Sequence, residues 1–352
     1  MPSTADATST LYPRSAAEPV AQLGEAAWVG GRNLGIDAGR VLAALFVIWV
    51  HTTAKVELDG VAHHQIGFVG VPFFTAAAVL FTTQRVFRGT GIPAMLATSI
   101  KRILWPFVVW ATIYFVASYI VSGWLLGGVR PSLTFTDVIT GAGGWHLWFL
   151  PYIFAVGLAA MALASVARRS VVASIAVMLG AGGACVWLLL AYDPSPSAVA
   201  RSGLRRWPFE APVALAALVI GLGIFRGWIV MPRRVAVSAV FWLCFAAVIV
   251  VGLFDAGDWA RRLAQLAGVL MLLGCLTWPS ALVPGALGRL GSLGYGVYVV
   301  HYLFVLALLR VTERDGVVSP AEGLASFAIV AVCSFLLVWL VRKLPMVRRL
   351  LP

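Results

Sequence analysis

Long apolar runs separated by short polar segments organise this chain. A run of about 17 to 25 apolar residues can cross a bilayer as an α-helix, and ten occur: Ile36 to Ala54, Ile66 to Thr83, Ile103 to Ser122, Leu147 to Val166, Val171 to Tyr192, Pro212 to Val230, Val235 to Phe254, Leu263 to Leu282, Leu293 to Val311 and Leu324 to Val341. Trp278 and Pro279 interrupt the eighth run, so a shorter or kinked helix is expected there. No soluble domain fits between any two runs. The pattern predicts an all-α, polytopic membrane helix bundle of about ten transmembrane helices. The stretch up to about Trp28 is rich in Ala, Ser, Thr and Pro and lacks an apolar core of signal-peptide length. Residues 1–33 are therefore expected to form a disordered cytoplasmic tail, followed by a transmembrane domain over 34–345 and a short basic cytoplasmic tail over 346–352.

Composition agrees with this picture: 61% of residues are hydrophobic and 11% charged, against about 25% charged in a soluble domain. The net charge of +12 does not point to nucleic acid, because the basic residues sit at the ends of apolar runs and form no continuous basic face. Cys185, Cys244, Cys275 and Cys333 each fall within an apolar run without CxxC spacing. They read as small buried apolar groups, with neither a disulfide nor a bound metal expected.

Charge placement sets an orientation. With the N-terminus inside, 16 Lys and Arg residues fall in the inner segments and nine in the outer ones, with Arg40 at the inner end of the first helix. After Asp37 every acidic residue, from Glu57 to Glu322, falls in an outer segment. Ten spans with both termini cytoplasmic satisfy this asymmetry. The segment from Asp193 to Glu210, with Pro194, Pro196 and Pro208, reads as a polar outer loop, as do His63 and His64.

Against this background the first run stands out, because Asp37, Arg40 and His51 lie within an otherwise apolar helix. Titratable groups in lipid are costly and default to functional candidates. Eleven helical steps from Arg40 to His51 rotate about 1100° and rise about 16.5 Å, which puts both side chains on one face at different depths. Arg40 never deprotonates and needs an anion or several carbonyls; Asp37, three residues earlier, supplies part of that need. A neutral His51 could take a proton from a hydroxyl. The plainer reading is an interfacial ion pair and a packed histidine. Arg85, Arg88, Lys101 and Arg102 share one short inner segment that could bind lipid headgroups or a polyphosphate-bearing donor. The positive-inside effect is explanation enough for most of them, and Lys101 and Arg102, which abut the third helix, are candidates for the same vestibule as Arg40. Two aromatic stretches remain, Trp145 to Tyr152, which carries His146 and Trp148, and Tyr295 to Tyr302, which carries Tyr298 and His301. An interfacial belt is the ordinary explanation for Trp145, Trp148 and Tyr152. No GxSxG, HExxH or P-loop occurs, and Gly291, Gly294 and Gly296 read as packing or cap glycines because no strand precedes them.

The residues Ile36 to His51, with Asp-x-x-Arg and then His after ten intervening residues, resemble the first-helix signature of the acyltransferase-3 membrane family. Gly70 to Phe74, Lys101 to Pro106, His146 to Pro151 and Gly294 to His301 resemble its later motifs in the same order. The resemblance implies a membrane O-acyltransferase that moves an acyl group, commonly acetyl, from cytoplasmic acyl-CoA to a hydroxyl of an extracytoplasmic or lipid-linked glycan. It implies His51 as the catalytic histidine with Arg40 and Asp37 as partners, Arg40, Lys101 and Arg102 toward the donor, and His146, Trp148, Tyr298 and His301 toward the acceptor. It also implies a bacterial inner membrane location. Two positions depart from the family pattern: Ala77 and Ala78 stand where a Ser-Gly pair is usual, and Trp105 stands where many relatives have arginine. The competing expectations are a transporter or flippase using an intramembrane Arg/His path, and a binding paralogue without turnover.

Overall fold

The computed structural model describes residues 33–53, 56, 63–120, 146–191, 203–254, 258–312 and 319–344. The expected tails, apart from Asn33, lie outside these residues, as does Trp145. The described elements are helices, with no β-strand among them: α1 Leu34–Thr53, a 3-10 turn His63–Val69, α2 Gly70–Phe87, α3 Ile92–Ser99, a π-helical turn Ile100–Leu104, α4 Trp105–Ile120, α5 Phe149–Arg168, α6 Val171–Ala191, α7 Gly203–Phe225, α8 Val235–Leu253, α9 Asp258–Thr277, a second 3-10 turn Ser280–Leu282, α10 Gly285–Gly291, α11 Gly294–Thr312 and α12 Pro320–Lys343. Eight spans in the described residues are long and apolar enough to cross a membrane, and nine if the bent pair α10–α11 counts as one.

Each apolar run became a helix because a backbone in lipid must satisfy its hydrogen bonds internally. The eighth ends at Thr277, ahead of Trp278 and Pro279, as proline requires. Two expectations are corrected. His63 and His64 open a 3-10 turn and are not in an irregular loop. Residues 203–210, read as loop, form the first turns of α7, with Pro208 and Pro212 inside the helix. Proline is tolerated in membrane helices where neighbouring groups re-satisfy the freed carbonyls.

Burial separates a centre from a rim. The spans of α1, α2 and α7 are 50%, 67% and 61% buried, whereas those of α6, α8 and α12 are only 11%, 11% and 22% buried. The rim displays large apolar side chains such as Leu179, Trp187, Leu190, Leu243 and Val332 to the outside, the surface a bilayer accepts and water does not. At the centre, α1 touches the first 3-10 turn, α2, α9, α10, α11 and α12. Small residues permit that crowding. A Cβ on Gly291 would lie 2.2 Å from the Asp37 carbonyl oxygen, and one on Gly70 2.5 Å from that of Ala43. The packing role expected of Gly291 and Gly294 is therefore the observed one.

Several basic residues at the expected inner turns bind helix ends, whose last carbonyls have no partner within the helix. Arg168 donates from Nη1 to the Val86 carbonyl at 3.1 Å, and Arg226 donates to Ser174 Oγ at 2.7 Å and to the Ser170 and Ala167 carbonyls. Arg342 holds Ser292 at the α10–α11 bend. At the opposite end of the bundle, Ser319 and Glu322 form a capping box that starts α12.

Candidate active site

α1 begins on a buried cap, with Asn33 Oδ1 accepting the Ile36 N–H at 3.1 Å. One turn in, buried Asp37 accepts a hydrogen bond from Arg40 Nη1 at 2.8 Å. The Arg40 guanidinium stands over the Phe81 ring at 5.5 Å and stays 37% exposed. The helix runs unbroken to Thr53, so the common face of Arg40 and His51 inferred from periodicity holds.

His51 ends in a cluster that no single stretch of sequence contains. Its ring lies 5.3 Å from that of His301 and 6.4 Å from that of His146, and His146 and His301 are 5.0 Å apart. Tyr302 flanks His51 at 5.4 Å and His146 at 5.0 Å. His146 and His301 are buried while His51 is half-buried, the most exposed of the three.

Backbone carbonyls fix the proton positions on the two buried rings. A carbonyl only accepts, so the nitrogen facing it carries the hydrogen. His146 Nε2 donates to the Val299 carbonyl at 3.2 Å, and His301 Nδ1 donates to the Tyr298 carbonyl at 2.6 Å. His146 Nδ1 and His301 Nε2 are then left as buried acceptors without partners. His146 precedes the span of α5, and burial, followed by the neighbouring His301 and His51, holds its imidazole well below the ordinary histidine range, keeping it neutral. Tyr298 locks the arrangement by donating its hydroxyl to the His146 carbonyl.

Of the residues singled out from sequence, the structure joins His51, His146, Tyr298 and His301, and places Trp148 against Phe149 and Tyr152 beside them. Trp148 and Tyr152 are 7% and 1% exposed, so the belt expected for them is corrected to a packed wall inside the bundle. Lys101 and Arg102 are exposed on the π-helical turn, which packs on α3, α4 and α5; among the described contacts nothing joins them to Arg40. Trp105 faces outward at 53% exposure and Ala77 is buried in the core.

Other side chains at the site gave no signal in the sequence. Tyr114, in α4, donates to the Val299 carbonyl at 2.9 Å and stacks edge-on with His146 at 5.0 Å; an aromatic in an apolar run reads as packing. Arg206, assigned to a loop, instead projects from α7 over the Trp148 ring at 5.3 Å. Among the described residues no group of three or more His, Cys, Asp or Glu is placed to hold a metal.

A half-buried histidine, backed by two further imidazoles and placed three helical turns from an Asp–Arg pair, suits proton transfer to and from a hydroxyl. A family model described as an acyltransferase domain matches residues 33–343. No curated protein and no solved structure gives a match. With nearly its whole length matched and its described spans built of apolar helices, the chain belongs to the acyltransferase-3 family and is an integral membrane acyltransferase, acting on acyl groups other than aminoacyl groups.

Proposed function

We propose that the protein transfers an acyl group, acetyl first among them, from cytoplasmic acyl-CoA to a hydroxyl of an extracytoplasmic or lipid-linked glycan, in a bacterial plasma membrane with both termini inside. One observation carries this reading: His51 meets His146 and His301 at one end of α1, while Asp37 and Arg40 occupy the other end on the same face. A catalytic base and an anion-binding cation are thus held at opposite depths of one rigid helix. His51 takes the proton of the acceptor hydroxyl as its oxygen attacks the thioester carbonyl, and the C–S bond breaks to release the CoA thiolate, which receives the proton. Arg40, oriented by Asp37, attracts the anionic donor from the cytoplasmic side. Exposed Lys101 and Arg102 add positive charge for the donor's phosphates on the same side.

The test is acyl transfer from labelled acetyl-CoA to membrane glycans by His51→Ala and His51→Gln variants with unchanged thermal stability. Transfer is expected to fall by at least about 100-fold, the scale of general-base catalysis; retained transfer removes the assignment. Absence of donor turnover in the native protein, together with solute flux through proteoliposomes, would favour transport instead.

A further inference from the structure

Next to the histidine cluster, a second group of polar side chains is buried without an evident task. Thr75, Tyr152 and Gln265 are 0%, 1% and 4% exposed, yet Thr75 Oγ1, Tyr152 Oη and Gln265 Oε1 have no hydrogen-bond partner. Glu210 is half-buried, but its Oε2 is closed off and equally unpartnered. The four residues come from α2, α5, α7 and α9, and they converge. Tyr152 faces Thr75 and Glu210, and the Glu210 carboxylate faces Gln265, Arg206 and Arg261. Tyr152 with Thr75 and Glu210 with Gln265 stand close enough for weak mutual contact, though Thr75 Oγ1, Tyr152 Oη, Glu210 Oε2 and Gln265 Oε1 make no hydrogen bond of ordinary geometry. Gln265 Nε2 is held by the Phe209 carbonyl at 2.7 Å, which leaves its oxygen as the end on offer.

An unsatisfied buried polar atom costs about 1–3 kcal/mol, and native structures contain few of them. Four at one place, on four helices, are poor packing unless something else completes them. The composition of the group says what that would be. Oε1 and Oε2 accept only, and the two hydroxyls both donate and accept, so the group asks for several O–H donors. Glu210 disfavours an anion, and the neighbouring arginines offset the charge that would otherwise draw a cation. The wall is aromatic: Tyr152 packs at 5.9 Å from both Trp148 and Trp207. Aromatic faces with convergent oxygen groups fit a neutral polyhydroxyl compound, its C–H faces on the rings and its hydroxyls on the oxygens.

The two groups are continuous. Phe149 packs on Tyr298 at 5.4 Å and on Tyr152 at 6.2 Å, and Arg206 over Trp148 neighbours both Tyr298 and Glu210. We infer that Thr75, Tyr152, Glu210 and Gln265 form a polyol-binding subsite that positions the acceptor so that one of its hydroxyls lies at His51. This rests on the acyl-transfer reading for the role of the subsite, but not for its binding.

Two near-isosteric variants, Thr75→Val and Tyr152→Phe, delete unpartnered oxygens and leave packing intact. Reconstituted in nanodiscs, the native protein and the double variant are titrated with octyl β-glucoside and, as the matched apolar probe, octanol, and binding is read from thermal stabilisation. The native protein is expected to bind the glucoside at least tenfold tighter than octanol. The double variant should bind the glucoside about tenfold more weakly than native while melting at the same temperature or higher. Equal glucoside affinity in the two proteins, no preference over octanol, or a lower melting temperature in the variant, which would show the oxygens paired internally, each overturns the subsite. Acyl transfer from labelled acetyl-CoA to membrane glycans is measured in parallel. Glucoside discrimination with no turnover retains the subsite and discards acyl transfer; turnover without discrimination does the reverse.

Discussion

Gly291→Ala is the sharpest probe of how the α10–α11 bend holds α1. The added methyl would sit 2.2 Å from the Asp37 carbonyl oxygen, 2.5 Å from its carbon and 2.6 Å from its Cβ. All three are atoms that no side-chain rotation can move. Restoring ordinary contact requires about 1.2 Å of separation between the helices, and overpacking of this kind costs about 1–3 kcal/mol. The upper end is expected here, which corresponds to a loss of roughly 5 °C or more in melting temperature. Gly294→Ala supplies the internal control, since its methyl would lie 3.0 Å from the Arg40 carbonyl oxygen and a few tenths of an ångström relieves it. Displacement of Asp37 and Arg40 by about 1 Å should also lower acyl transfer by about 100-fold in the protein that still folds. Thermal unfolding in nanodiscs and initial transfer rates measure the two effects. A Gly291→Ala protein with native melting temperature and native rate, or one no worse than Gly294→Ala, would refute the close-approach argument.

Two other substitutions separate charge and lone pair from shape. Asp37→Asn keeps the hydrogen-bonding outline but removes the charge that orients Arg40; because Arg40 is partly exposed, the stability loss should stay near about 1 kcal/mol or below, while KM for the acyl donor rises about tenfold more than kcat falls. His301→Phe keeps an aromatic ring against His51 and His146 but deletes the unpartnered Nε2 acceptor. The Nδ1 donor to the Tyr298 carbonyl is lost as well, so relief of the orphaned nitrogen and loss of that bond offset to within about 1 kcal/mol, while transfer is expected to drop at least about tenfold; an unaltered rate would exclude His301 from the chemistry.

The hydrophobic pattern by itself determined the helices, because in lipid a 20-residue apolar run has no other way to satisfy its backbone. It also fixed the phase of Arg40 and His51, since a continuous helix turns by a constant angle, and it marked Gly291 and Gly294 as packing glycines. Residue type failed where it signals only a tendency. Pro208 read as loop, yet α7 continues through it and through Pro212, which carries Arg206 and Glu210 into the helix. Trp148 and Tyr152 read as a belt because aromatics are common at interfaces, and only the neighbouring helices show them walled in. The meeting of His51, His146 and His301, separated by 95 and 155 residues of chain, was decided by tertiary packing alone. So was the convergence of Thr75, Tyr152, Glu210 and Gln265 from four helices. Periodicity specifies which way a side chain faces on its own helix; which side chains face one another depends on how helices pack, and that is set by small-residue contacts spread along the whole chain.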